Sequence, residues 1–266
     1  MKQYVSVFML ALRSVSKKLI IILTAMVAAE CALFALAARK YLWMEDIIAE
    51  GRVSVAFYGA LMALTVVLCT SLAGNARQTY TLQRLAVSGR AVFYIQVLAN
   101  GLCYLLLWTV QLVAALLLIK IYLASQLASA DHSLDFCEQS AFLAFYRSEF
   151  LHSLFPLEEL TRWLRNLALI CGLAVTCAYG SCQQQRGKTP WSPFILAVLT
   201  ILCFELEMGS SYADWLLVAL AIMSIVRIRL VLPADGPFMD LSSIRAASEN
   251  SSLESAPTPE ELEVMR

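Results

Sequence analysis

The 266-residue chain is 60% hydrophobic and only 15% charged, with mean hydropathy +0.70. A soluble domain is nearer half apolar and a quarter charged, so composition excludes an ordinary soluble globular protein and indicates an integral membrane one. Formal net charge is zero, 20 basic against 20 acidic residues, so no bulk polarity points to nucleic acid; the charges are unevenly placed along the chain, and that placement carries the information.

Residues 2–18 come first. At 100° per residue Lys2, Ser6, Arg13 and Lys17 share a stripe opposite Tyr4, Phe8, Ala11, Leu12 and Val15. This pattern predicts an amphipathic helix lying flat at the inner leaflet. It serves either as an anchor that sets orientation or as an elbow that also touches a cytosolic partner. A crossing needs ~20 apolar residues, and Leu19–Ala38 and Val53–Ala73 supply them. A cleaved leader is not expected, because the first run is too long for a signal core and contains Glu30. Val92–Leu123 exceeds one crossing, while Leu167–Cys182, Pro193–Glu205 and Tyr212–Val226 are shorter. The expectation is an all-α membrane protein with six transmembrane helices over 19–232, four or five being the alternative count; the last two are either thin spans or partly re-entrant.

Charge sets the expected orientation. Residues 1–18, 74–92, 183–190 and 227–232 hold eleven Lys/Arg and no acid, whereas 39–52, 124–166 and 205–214 hold twelve acids and six Lys/Arg. Basic short loops stay in the cytoplasm. Both termini are then expected in the cytosol of a multi-pass protein of the inner (cytoplasmic) membrane.

Between the second and third runs lies QTYTLQRLAVSGRAVFYIQ at 78–96. Arg77 and Arg84 share one face, Leu82 and Ala86 the other, and Ser88–Gly89 can end the segment, since Gly tolerates turn geometry at low cost. The pattern predicts a short helix parallel to the cytosolic surface, about 78–90. It is either a bare interfacial helix or one that docks in a groove of another protein.

Continued as QTYTLQRLAVSGRAVFYIQVLANGLCYLLLW, the segment resembles the loop after the second span in type 2 ATP-binding-cassette exporter permeases. The matching residues are Arg84, Leu85, Val87, Ser88 and Arg90, and the resemblance extends loosely over residues 1–230. It implies the non-catalytic transmembrane subunit of an ABC exporter. Leu82, Arg84, Leu85, Val87, Ser88 and Arg90 would form the coupling helix, seated on a separate ATPase that carries ATP and Mg, with a second permease copy or homologue completing a dimer. Gln83 departs from the acid expected there, and the long outer loop lies at 124–163 rather than between the last two spans. The alternatives are an ion-coupled secondary carrier and an intramembrane enzyme.

No catalytic, cofactor or metal site is expected on the chain. RGKTP at 186–190 lacks the first glycine of a phosphate loop, since position 182 is Cys. EELTR at 158–162 has two residues where an intramembrane protease motif has three, and the chain's two histidines, His132 and His152, do not supply the rest. It reads instead as a helix beginning near Pro156, with Glu158 and Glu159 in the first turn. Cys177 and Cys182 have no His beside them to make a zinc site. Glu30 is the sole acid deep in a predicted span, where a charge costs at least ~2.5–3.5 kcal/mol. It is placed either in a substrate or proton path with Gln111, or in a hydrogen bond to Gln111, Asn100 or Thr65. The outer loop carries Phe136, Phe142, Phe145, Phe150 and Leu151 among charges and predicts one or two helices that either lie on the outer surface or cap a cavity. Residues 233–266, rich in Pro, Ser and acids, predict a largely disordered cytosolic tail, with a short capped helix after Thr258.

Overall fold

The computed structural model describes residues 2–40, 47, 52–71, 88–128, 148–156, 160–185, 189–205 and 211–231. They form helices α1 (Lys2–Lys40), α2 (Val53–Thr70), α3 (Gly89–Ala128), α4 (Glu149–Leu154), α5 (Leu160–Gln185), α6 (Ser192–Glu205) and α7 (Ser211–Val231), with no strand among them.

Four helices, α1, α2, α3 and α5, are long and apolar enough to cross a membrane. Helix α6 has 14 residues, about 21 Å at ~1.5 Å per residue, short of a ~30 Å hydrocarbon core. Helix α7 has 21 residues, about 31 Å at the same rise. The chain is thus a membrane-embedded helical protein in which, among the described residues, four helices are candidate spans by length and hydropathy. The other two expected crossings fall on α6, which is short, and α7, which is long enough but carries Asp214, Arg227 and Arg229 toward its ends.

The first helix also departs from expectation. Residues 2–18 and 19–40 form one uninterrupted 39-residue helix, with no break where the interfacial piece was expected to meet the first span. The sequence there has no Gly or Pro. Ser14 Oγ donates to Ala11 O at 2.7 Å and Ser16 Oγ to Arg13 O at 3.2 Å, so both hydroxyls are satisfied within the helix. Val7 of this first part packs with Val92 at the start of α3.

Contacts fix the helix directions. Helices α1 and α3 run parallel: Val7 meets Val92, Glu30 meets Gln111, and Phe34 and Ala37 share a cluster with Ala115 and Ile119. Between them α2 runs the other way, with Val53 in the cluster of Ile119 and Thr65 reaching Tyr104. Helix α5 returns against α3, its end packing on Phe93 through Ala178 and Cys182. In turn α6 opposes α5, since Leu196 lies by Gly172 and Pro193 by Gly180. Helix α7 runs along α5, with Ala221 at Gly172 and Ile228 at Ala178 and Cys182. Leaving aside short α4, each helix reverses the one before it.

The main core gathers Leu61, Leu64, Leu68, Tyr104, Leu107, Leu169 and Leu173, all fully buried, from α2, α3 and α5. A second cluster, around Phe34, Ala115, Ile119 and Leu123, lies toward the far ends of α1 and α3. Outward faces carry Ile20, Ile21, Leu36, Leu98, Leu105, Leu117 and Ile121 exposed, as lipid-facing surfaces do. Lipid tails are as apolar as leucine, so tight packing and interhelical hydrogen bonds hold such a bundle.

Candidate functional site: a buried polar seam

Helix α3 places Gln96, Asn100, Tyr104 and Gln111 at steps of four, four and seven, one face of a helix. All four side chains are buried. At its lower end Gln96 Nε2 donates to Asn100 Oδ1 at 3.1 Å, and Asn100 Nδ2 donates to Ala174 O of α5 at 3.4 Å.

One turn on, Tyr104 ties three helices together. Thr65 Oγ1 donates to Leu61 O at 2.8 Å, which spends its only proton. At the 2.9 Å contact with Tyr104 Oη the threonine therefore accepts and the tyrosine donates. The Cys177 thiol, 3.1 Å from the same phenol oxygen, supplies the complementary donor. Thr65 and Cys177 thus hold α2 and α5 to α3. Cys182 Sγ donates to Ala178 O, and no group of three or more metal-ligating side chains occurs among the described residues.

At Gln111 the seam reaches α1. Gln111 Nε2 donates to Glu30 Oε1 at 2.9 Å, both side chains being fully buried. Of the three partners open to Glu30 from sequence, the structure selects Gln111; Asn100 and Thr65 are engaged elsewhere. The pair sits at the boundary of the two apolar clusters. Met26 and Trp108 belong to the main core on one side, Phe34 and Ala115 to the second on the other.

A second polar knot lies where α4 meets α5. Asn166 Nδ2 donates to the carbonyls of Ser153 and Leu154 at 2.9 and 3.1 Å, and Arg165 Nη2 donates to Ser153 O and Oγ at 3.1 and 2.7 Å. These are the last carbonyls of α4, which have no partner within the helix, and a cation there complements the helix dipole. The Arg165 guanidinium stands 5.3 Å from the centroid of Phe204, in an aromatic group with Phe57, Trp108 and Phe150. Of the 124–163 loop, expected to form helices that lie on the outer surface or cap a cavity, the described α4 packs inward, with Leu151 and Leu154 buried.

Of the expected coupling residues, Leu82, Arg84, Leu85 and Val87 lie outside the described residues, as do Glu158, Glu159, the basic loop at 186–188 and the tail. Ser88 and Arg90 are described, and both are exposed. Ser88 caps α3: its Oγ accepts from Ala91 N at 3.4 Å and its carbonyl from Val92 N at 3.1 Å. The turn anticipated at Ser88–Gly89 is therefore where the long helix begins. Arg90 follows in the first turn, where the helix dipole disfavours a cation. Sequence reasoning missed Gln96, Tyr104, Arg165 and Asn166. The four-residue polar spacing on α3 was the available signal for the first two.

No family model, no curated protein and no solved structure matches the chain.

Proposed function

We propose that the chain is the transmembrane (permease) subunit of an ABC exporter, paired with a second copy or a homologue and driven by separate ATPase subunits that hold ATP and Mg. The observation carrying this reading is the run Arg84-Leu85-x-Val87-Ser88-x-Arg90, which leads into the first turn of a 40-residue helix. At ~1.5 Å per residue α3 is about 60 Å long, twice the hydrocarbon core. A push at its basic end would be carried through the bilayer by one rigid element. The parallel start of α1 against Val92 would give the same push a second lever. The reading places residues 78–90 and both termini in the cytosol, and α6 and α7 as the last two crossings. Glu30 and Gln111, sealed against each other, would join a substrate path only when α1 and α3 part.

The rival, an ion-coupled carrier, draws on one observation, a carboxyl buried at mid-bundle. Affinity purification of the tagged chain from its native membrane separates them. The exporter reading expects an ATPase with an intact phosphate loop to be retained, and retention to fall at least tenfold in Arg84→Glu/Leu85→Glu. If the purified chain retains no ATPase and its transport collapses with the ion gradient, the carrier replaces the exporter.

A further inference from the structure

We propose that Glu30 is a proton-binding site: the proton sits on Oε2 and is donated to Gln111 Oε1, making a two-bond acid–amide pair that joins α1 to α3. The geometry already contains one half of this pair, Gln111 Nε2 to Glu30 Oε1 at 2.9 Å. The two atoms that would form the other half, Glu30 Oε2 and Gln111 Oε1, are buried and have no hydrogen-bond partner among the described residues. Both are acceptors when the carboxyl is ionised, which leaves two buried lone-pair groups unsatisfied. One added proton turns Oε2 into a donor and satisfies both.

Among the described residues of α1, α2 and α3, no cation stands beside the carboxylate, and the buried Arg165 of α5 is engaged with Ser153, Asn166 and the Phe204 ring. Helices α2 and α3 are the elements packed most extensively on α1. The described cations of these three helices are Arg13, Lys17, Lys18, Arg39, Lys40, Arg52, Arg90 and Lys120. The nearest along the chain are Arg39 on α1 and Lys120 on α3, each nine positions from its seam partner, about 13 Å along the helix, and both exposed. The other titratable groups are Tyr4 and Cys31, both exposed on α1, Tyr58 and Cys69 on α2, and Tyr94, Cys103, Tyr104 and Tyr122 on α3; none carries a positive charge. A metal ion is a poorer occupant than a proton. Hard cations gather about six or more oxygens, and the pair presents two free ones between layers of Met26, Trp108, Phe34 and Ala115.

The site makes the α1–α3 seam proton-dependent. The packed state holds one proton more than a state in which Glu30 meets water, so the seam weakens as pH rises. This consequence is independent of whether an ATPase or an ion gradient drives the protein.

Infrared spectroscopy of the full chain in lipid nanodiscs at neutral pH tests it. A carbonyl band of a protonated carboxyl is expected, shifted by heavy-carbon labelling of the glutamate carboxyls and lost in Glu30→Gln. Labelling assigns the band to glutamate in the wild type even if a variant fails to fold. Thermal midpoints taken over a rising pH series should fall in the wild type. They should fall less in Glu30→Gln, whose second amide can both donate and accept across the same gap. Absence of the protonated-carboxyl band overturns the proposal, and so do identical pH profiles of the two proteins. Stabilisation of the wild type by sodium at neutral pH, absent in Glu30→Gln, would assign the site to a metal cation and overturn it equally.

Discussion

Two glycines of α5 set how closely α6 and α7 approach, and replacing them should show it. A Cβ at Gly172 would lie 3.1 Å from Leu196 Cδ2 and 3.2 Å from Ala221 Cβ, some tenths of an ångström inside the ~3.5–4.0 Å optimum for carbon pairs. Leu196 can swing its methyl aside. Ala221 cannot, because its Cβ is one bond from the backbone, so α5 and α7 must separate. At Gly180 the obstacles are Pro190 Cβ at 3.1 Å, Pro193 Cγ at 3.2 Å and Cys69 Sγ at 3.3 Å, two of them in rigid rings. Overpacking of this kind costs about 1–3 kcal/mol. The helix-propensity gain of Gly→Ala, at most about 1 kcal/mol, offsets part of it, and less in a membrane where the separated helix stays helical. Gly172→Ala should therefore lose up to about 2 kcal/mol and Gly180→Ala somewhat more, with Gly172→Leu worse than either. Gly59 supplies the control, since nothing lies within 4 Å of its added Cβ, and Gly101 meets only Ala174 Cβ at 3.7 Å. Gly59→Ala and Gly101→Ala should be neutral or slightly stabilising. Thermal midpoints from tryptophan fluorescence in one detergent would rank the set. If Gly172→Leu unfolds at the same temperature as Gly59→Leu, the α5–α7 packing described above is wrong.

Tyr104→Phe should cost about 0.6–1.7 kcal/mol, the range for interhelical hydrogen bonds in membranes, because Thr65 keeps its bond to Leu61 O; the same unfolding assay reads it. Thr65→Val combined with Tyr104→Phe should lose less than the sum of the single losses, because both remove one bond. Asn166→Leu would strip the Ser153 and Leu154 carbonyls of a donor, at about 1–3 kcal/mol, and hydrogen exchange over 149–154 should rise before the global unfolding temperature moves.

Much of this architecture was legible in the chain. Four apolar runs became the four long helices, and Ser88–Gly89 marked the start of the third because a hydroxyl followed by glycine is both cap and stop. Boundaries fell short where the helix outlasts its apolar part: Val92–Leu123 became Gly89–Ala128 and Leu167–Cys182 became Leu160–Gln185. A run of hydropathy reports the hydrocarbon-facing portion, whereas the backbone stays helical into polar residues. The single rod of α1 was hidden because amphipathic and apolar patterns on either side of Lys18 read as two functions. Glu30 and Gln111 were both visible as polar groups in apolar runs, but which partner each takes depends on helix register. Tyr104 and Cys177 hid in plain sight, since both count as apolar residues until their heteroatoms meet. Arg165 looked like one more outer cation. Its role is set by the end of α4, twelve residues earlier, whose inward packing depends on tertiary contacts rather than on local pattern.

Site-specific crosslinking bears most directly on the transport assignment. A photoreactive residue at position 85, in native membranes, should trap an ATPase subunit, and the yield should change when ATP and vanadate are added to arrest turnover. The same probe at Ile121, at the opposite end of α3, should trap none. A probe at 85 that labels only lipid, or that is reached from the outer side of the membrane, would contradict the assignment.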